Sequence, residues 1–313
     1  MPRSERHRLT PPSLRDTSPT AQGRLSDLSP LHRRGDVGAA DRGVAASRSY
    51  NARMLPTLVF DIESIPDING IRRLHDLPTS LSDDEVGLWA FAQQRQKNGS
   101  EFLPHHLQRV CAISCVMREG SDKIAVWTLG EASDDEPTII QKFFELIERK
   151  TPQLVSWNGG GFDLPVLMQR GLITGVTASR FLETGANDRA FNFDHYLNRY
   201  KERHLDLMDF LAMYQARANA PLDTMAKLCG FPGKLGMDGS QVWPAYQRGE
   251  IAEIRAYCET DAANTYLLFL RFLAMRGELT RDEYDAELKL LRDKLGTTPG
   301  DHWQEYLAAW PTT

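Results

Sequence analysis

Residues 57–64 read Thr-Leu-Val-Phe-Asp-Ile-Glu-Ser, an apolar run that ends with two carboxylates, Asp61 and Glu63, one residue apart. β-Branched and aromatic side chains of this kind favour a β-strand. Successive strand side chains point to opposite faces of a sheet, so Asp61 and Glu63 project to the same side. Two negative charges held that close repel each other, and a divalent cation between them relieves the repulsion. A lone Asp-x-Glu pair is more often a solvated strand end, so its meaning depends on the rest of the chain.

The segments that follow alternate between strand and helix patterns. Residues 109–117 and 123–129 are β-branched runs joined by a short polar loop, which predicts a hairpin that places two antiparallel strands beside the first. Helices are predicted over 83–96, 164–170, 222–228, 240–247, 251–275 and 281–295. A further helix is predicted to begin at Ser133, where Glu136, three residues later, completes a capping box. Short strands are predicted at 154–157 and at the start of 205–214, on either side of an irregular segment, 174–202. This order predicts an α/β fold with a mixed sheet flanked by helices.

The bulk properties narrow the functional class. Residues 54–313 are enough for one α/β domain with a well-filled core. A net charge of -5 does not suit a protein that coats nucleic acid, although an acidic enzyme can bind phosphates through a metal ion. The four cysteines, at 111, 115, 229 and 258, have no zinc-ligand spacing. The sequence has no apolar run of membrane-spanning length and no signal-peptide core, so we expect a cytoplasmic protein without a membrane partner.

The first 53 residues differ in composition from the rest. They are rich in Arg, Ser and Pro, contain no Lys and show no periodicity, which predicts a disordered extension. A transit peptide or a basic nucleic-acid arm is an alternative, but five acidic residues among the arginines weaken both. Met54 stands just before the first strand, so we favour a third interpretation, a misassigned start.

A second group of candidate residues follows the strand predicted at 154–157. The sequence there is Asn158-Gly159-Gly160-Gly161-Phe162-Asp163. Glycines let the backbone approach a ligand closely or take a positive φ, and this turn delivers Asp163 to the first turn of a helix. A carboxylate there is also an ordinary N-cap. The run matches neither a Walker loop nor a dinucleotide fingerprint.

A third group lies within the long predicted helix 251–275. Tyr257 and Asp261 are four residues apart and therefore share a helical face. An apolar run, 266–270, follows them, so the pair forms a polar spot on a buried surface. A buried carboxylate needs a partner, and no Arg or Lys lies on that face within the next turns.

Taken in order, the three groups resemble the DEDD superfamily of 3'-5' exonucleases, which has an RNase H-like fold. The resemblance covers residues 55–272 and rests on Asp-x-Glu in the first strand, Asn158 to Asp163 after a later strand, and Tyr257 to Asp261 in a helix. The tyrosine indicates the DEDDy branch, and the stand-alone bacterial relatives of the proofreading exonuclease domain of family B DNA polymerases are the most similar. Histidine replaces the tyrosine in the related branch, and His204 does not occupy that position.

The resemblance implies a mechanism and a ligand set. Asp61, Glu63, Asp163 and Asp261 would hold two Mg²⁺ or Mn²⁺ ions, with Asp61 as the bridging ligand. Tyr257 would stay protonated and orient the attacking water by hydrogen bonding. Asn158 and Phe162 match positions near the terminal nucleotide, where an amide can hydrogen-bond and a ring can stack, although core packing explains Phe162 equally well.

Several polar residues near these groups are assigned structural or surface roles. Asp206 and Asp209 are expected to shape a strand-to-helix junction. The segment Asp238-Gly239-Ser240-Gln241 is expected to be a turn and helix cap. Three basic residues near the presumed cleft, Lys227, Lys234 and Arg248, are expected to be solvated surface. With no long basic tract, a short single-stranded end is the expected ligand.

The function implied by the resemblance is metal-dependent 3'-5' hydrolysis of single-stranded nucleic acid, DNA before RNA. Two alternatives remain open: an exoribonuclease that trims RNA, and a non-catalytic nucleic-acid-binding protein on the same fold. The 41 residues after Phe272 are too few for a polymerase, so we expect the chain to act alone or with a separate polymerase or repair partner.

Overall fold

The computed structural model describes residues 56–311, so the extension predicted over residues 1–53 lies outside the described residues. The strands in this part are β1 Thr57–Pro66, β2 Gln108–Glu119, β3 Lys123–Thr128, β4 Gln153–Ser156 and β5 His204–Asp206. The first helices are α1 Ile68–His75, α2 Asp83–Asn98, α3 Glu136–Lys150, α4 Asp163–Thr174 and α5 Leu207–Leu211. The later helices are α6 Leu222–Leu228, α7 Val242–Gln247, α8 Ile251–Met275, α9 Arg281–Thr297 and α10 Asp301–Ala309. No helix in residues 56–311 combines the length and the apolar character that crossing a membrane requires.

The five strands form one mixed sheet in the order β3-β2-β1-β4-β5. The neighbours β1 and β2, and β2 and β3, are antiparallel, whereas β4 runs parallel to both β1 and β5. The predicted three-stranded antiparallel start is therefore confirmed, and so is the α/β fold with a mixed sheet flanked by helices. Strand β1 lies at the centre of the sheet, where both of its faces are covered.

The alternation along β1 decides which face carries the two carboxylates. Leu58, Phe60 and Ile62 belong to the core on one face, together with the apolar side chains of α3 and α4. Val59 belongs to the core on the other face, which is built mainly from α8 and α9. Asp61 and Glu63 follow Val59 at two-residue spacing and therefore face α8.

Helix α3 does not begin as the sequence pattern predicts. Its N-cap is Asp135, whose side chain accepts a hydrogen bond from the amide of Thr138. The predicted capping box of Ser133 and Glu136 is wrong because Glu136 turns inward, where its carboxylate binds Arg170 through two bonds of 2.8 and 2.6 Å. Arg170 also donates to Asp67 and so joins the start of α3, helix α4 and the end of β1.

Helix α10 was not predicted, and it completes the core on the α8 face. Trp303 and Tyr306 are almost fully buried, and Trp310 follows the helix. Their spacing of three and four residues is the helical signal that could have identified this segment. The hydroxyl of Tyr306 donates to Asn264 of α8 at 2.8 Å, which fixes the position of α10 against α8.

Candidate active site

The central group of carboxylates comes from two elements that are distant in sequence. Strand β1 supplies Asp61 and Glu63, and α8, which packs across that face of the sheet, supplies Asp261. One carboxylate oxygen from each residue lies within 4.8 Å of the other two. The structure therefore brings three of the four predicted ligands to one point.

Asp163 lies beside this group. It is the first residue of α4, is buried, and its Oδ1 accepts a hydrogen bond from the Ile62 amide at 3.2 Å. Ile62 stands between Asp61 and Glu63 in β1, so this bond ties the Asp163 carboxylate to the strand. Burial raises the pKa of Asp163 to about 7, although backbone N–H donors oppose the shift.

The carboxylates of this group are buried close together, so their negative charges repel one another with little screening by water. Burial and the neighbouring carboxylates, Asp261 first, raise the pKa values of both Asp61 and Glu63 well above their usual range. Burial also raises the pKa of Asp261, against the attraction of Lys234. Without a cation, ionising these carboxylates together therefore costs free energy, as expected for a cation-binding site.

Lys234 lies against Asp261 and Tyr257 and not on the open surface. Its side chain is 29% exposed, and its Nζ lies 2.7 Å from Asp261 Oδ2 and donates to the hydroxyl of Tyr257. Burial alone would lower the pKa of Lys234, but the attraction and hydrogen bond of Asp261 raise it. The prediction that Lys234 is a solvated surface residue is wrong, whereas Lys227 and Arg248 do lie at the surface, paired with Asp223 and Glu250.

The loop that carries Lys234 is fastened to α8 by a pair of hydrogen bonds. The amide of Gly233 donates to Asn264 Oδ1 at 3.1 Å, and Asn264 Nδ2 donates back to the carbonyl of Gly233 at 2.9 Å. Asn264 lies one turn beyond Asp261, so the same helix presents the carboxylate and anchors its partner. The missing partner for Asp261 on its own helix was the sequence signal that pointed to such a residue.

Tyr257 lies one turn before Asp261 and is buried. Burial, and then the negative charges of Asp261, Glu63 and Asp61, raise its pKa far above the usual range for a phenol. Lys234 supplies the hydrogen bond that the phenol oxygen accepts. Tyr257 therefore keeps its proton at any ordinary pH and presents an O–H donor near the carboxylates.

The oxygen atoms and the net negative charge of this carboxylate group suit a divalent cation. Among the described residues, Asp261 Oδ1 is a buried oxygen without a hydrogen-bond partner, which is a costly state for a carboxylate. The four carboxylates outnumber the single ammonium group of Lys234, so negative charge is left over. Hard oxygen ligands of this kind suit Mg²⁺ or Mn²⁺.

The glycine turn is shaped by its own neighbours. Asn158 takes the positive φ of 67°, whereas none of the three glycines does. A Cβ at Gly159 would lie 2.3 Å from Ser156 Oγ, which explains the need for glycine there. Asp206 holds the turn by accepting hydrogen bonds from the amides of Asn158 and Gly160, each at 2.9 Å. Since Asp206 is also the N-cap of α5, its predicted structural role is confirmed.

The remaining candidates lie around this turn. Asp209 pairs with Arg199 at 2.6 Å, and His204 is buried, with its Nε2 2.8 Å from Ser156 Oγ. Burial lowers the pKa of His204 to about 4, so the imidazole stays neutral. Phe162 is half-buried, with its ring centroid 5.4 Å from that of Phe102. Phe162 immediately precedes Asp163, and Asn158 begins the turn that ends there, so the role of both beside a terminal nucleotide stays a prediction.

The raised pKa of Asp163 predicts how metal binding depends on pH. Between about pH 4 and pH 7 the folded protein keeps a proton that the unfolded chain releases, so the free energy of unfolding falls as the pH rises through this window. A divalent cation binds the ionised carboxylates and restores the loss. We expect the rise in melting temperature caused by Mn²⁺ to be larger at pH 8 than at pH 6. Thermal melts with and without Mn²⁺ measure it, and a rise that is equal or smaller at pH 8 would contradict the expectation.

Residues 100–310 match the model of a family described as a predicted 3'-5' exonuclease related to the exonuclease domain of PolB. This match includes Asp163, Tyr257 and Asp261 and begins after Asp61 and Glu63. The family B DNA polymerase of the hyperthermophilic archaeon Pyrobaculum calidifontis is one solved structure with similarity, at 17% identity and a TM-score of 0.42 over 70% of this chain. The chain covers 24% of that polymerase, and no curated protein matches it.

Proposed function

The chain belongs to the family of predicted 3'-5' exonucleases related to the exonuclease domain of PolB, and on this basis we propose that it hydrolyses single-stranded nucleic acid from the 3' end. The observation that carries the proposal is the meeting of Asp61, Glu63 and Asp261 within 4.8 Å, with a buried Asp261 oxygen that has no partner among the described residues. The relation to PolB favours DNA as the substrate.

In the proposed reaction, water attacks the terminal phosphorus and the bond to the 3' oxygen of the preceding nucleotide breaks. The products are a nucleoside 5'-monophosphate and a strand one residue shorter with a free 3'-hydroxyl. Two divalent cations, Mg²⁺ or Mn²⁺, would make the attacking water more acidic and offset the charge on the leaving oxygen. Asp61, Glu63, Asp163 and Asp261 would hold them.

The protein's own groups have separate roles in this proposal. Tyr257, neutral at ordinary pH, donates a hydrogen bond that orients the attacking water. Lys234 holds the phenol oxygen of Tyr257 and balances part of the charge of Asp261, so both side chains keep one orientation. Asn158 and Phe162 receive the terminal nucleotide, whose base the Phe162 ring contacts without sequence preference.

Parallel digestion of matched oligonucleotides tests the proposal and the choice of substrate. DNA and RNA strands of one sequence, each labelled at the 5' end, are incubated with the protein and Mn²⁺ or with chelator. We expect a ladder of shortening products from DNA with Mn²⁺, a slower ladder from RNA, and none with chelator. Faster digestion of RNA would make the chain an exoribonuclease, and binding of both strands without hydrolysis would make it a binding protein.

A further inference from the structure

A groove opens next to Phe162, between helix α2 and the segment 99–107. Two adjoining cavities of about 660 and 460 Å³ form it, and they share the lining residues Gln94, Leu103, Pro104 and His106. We call this continuous depression the α2 groove. None of the residues assigned above to the carboxylate group lines it.

Aromatic rings connect the α2 groove to the candidate active site. Phe162 immediately precedes Asp163, and its ring is 5.4 Å from Phe102 and 5.8 Å from His105, both of which line the groove. The side chain of Phe102 is 55% exposed, an unusual position for a phenylalanine beside a core. The three rings form one partly exposed surface that begins at Asp163 and ends in the groove.

The charge of the α2 groove differs from that of the protein as a whole. The chain has 42 acidic and 37 basic residues, yet no Asp or Glu of residues 56–311 lines the groove. Among the described residues, its polar lining consists of amide side chains such as Gln94, imidazoles such as His105, the hydroxyl of Ser100 and the ammonium group of Lys97. The nearby Glu101 is paired with Arg95. These groups can donate hydrogen bonds to phosphates and base edges without repelling them.

Two other cavities near the site lack this property. The cavity of about 700 Å³ beside Asn158 is lined by Asp206 and Asp209, and also by Arg199, which pairs with Asp209. The cavity of about 410 Å³ near Arg170 is lined by four carboxylates, of Asp67, Asp83, Asp135 and Glu136, and by three arginines, Arg73, Arg109 and Arg170. Both cavities therefore contain carboxylates, whereas a strand of phosphates in the α2 groove meets no carboxylate of residues 56–311.

We propose that the α2 groove binds the single strand upstream of its 3'-terminal nucleotide. This inference rests on the proposed function. If the 3'-terminal nucleotide is hydrolysed at the carboxylates, the rest of the strand must lie along a neighbouring surface, and the α2 groove is that surface. Phe102 and His105 extend the stacking surface that Phe162 begins, and Lys97 contacts a phosphate. Stacking rings, amide side chains and one positive charge bind the bases and phosphates of a single strand without a preference for its sequence.

Binding measured without metal separates this proposal from the hydrolytic one. Anisotropy of a labelled single strand of about 12 nucleotides, a length within the usual range for single-strand sites, gives Kd in chelator. We expect Phe102→Ala to weaken binding about 5- to 150-fold, the usual cost of one lost base–aromatic stack, and Phe102→Trp to retain it. Leu88→Ala is the matched control, because Leu88 is 58% exposed on helix α2, which borders the groove, but is not one of the lining residues.

Two further measurements complete the test. Lys97→Gln should reduce the slope of log Kd against log salt by about 0.7, the contribution of one phosphate contact to a single strand. If the wild type binds the strand but never hydrolyses it, the proposed function fails while the groove stands. If Phe102→Ala binds as tightly as the Leu88→Ala control, the groove proposal is overturned, whether or not the wild type is an exonuclease.

Discussion

Asp61→Asn is expected to abolish hydrolysis while making the metal-free protein more stable. The substitution keeps the shape of the side chain but removes a charge that Asp261, Asp163 and Glu63 repel. Loss of the central metal ligand should lower the rate at least about 10³-fold, since a metal ion provides several kcal/mol of transition-state stabilisation. Removal of the repulsion should raise the free energy of unfolding at pH 8 by about 0.5–2 kcal/mol, the usual gain when a costly functional residue is replaced.

The two effects are measured on the same preparation. Denaturant unfolding in chelator gives the stability change, and digestion of a labelled strand with Mn²⁺ gives the rate. Asp285→Asn, an exposed carboxylate on α9, is the control and should change neither quantity. A variant that loses activity only because it unfolds would show lower stability, which is the opposite of the expected sign.

Glu287→Ala is expected to cause a large loss of stability far from the candidate active site. Glu287 of α9 accepts two hydrogen bonds from Arg118 of β2, at 2.8 and 2.6 Å, and one from Tyr266 at 3.0 Å. Arg118 is 1% exposed and would lose its carboxylate partner in a dry core. Breaking a buried ion pair by removing one partner costs about 3–5 kcal/mol of unfolding free energy.

The control for this variant lies on the same helix. Asp285→Ala removes one member of an exposed pair with Arg281, and such pairs contribute less than about 1 kcal/mol. Chemical denaturation of both variants measures the difference. A loss for Glu287→Ala no greater than that for Asp285→Ala would mean that the buried pair does not stabilise the fold.

Much of the fold was predictable because the apolar periodicity of the sequence matches the residues that are buried in the core. The apolar alternation of β1 identified the strand, and the shared face of Asp61 and Glu63 was correct because strand periodicity is fixed by geometry. Helix α8 was predicted with its observed bounds, since its apolar face and length leave no other interpretation. Glu136 was misassigned because a capping box is a local signal, whereas the position of Glu136 is set by Arg170, 34 residues away.

The candidate site was predictable in part for a similar reason. Motif order led to Asp61, Glu63, Asp163, Tyr257 and Asp261, but nothing in the local sequence distinguishes Lys234 from a surface lysine. Its position depends on the contact of Gly233 with Asn264, a pairing that exists only in the folded chain. Phe102 was missed for the same reason, because its meeting with Phe162 joins segments 60 residues apart.

We propose that Asp61, Glu63, Asp163 and Asp261 form a metal site for hydrolysis at a 3' end. The most direct measurement is digestion of a single DNA strand labelled at its 5' end, with and without Mn²⁺, by the wild type and by Asp61→Asn. We expect stepwise shortening from the 3' end by the wild type with Mn²⁺, and no shortening with chelator or by Asp61→Asn. Equal digestion by Asp61→Asn, or by the wild type in chelator, would contradict it.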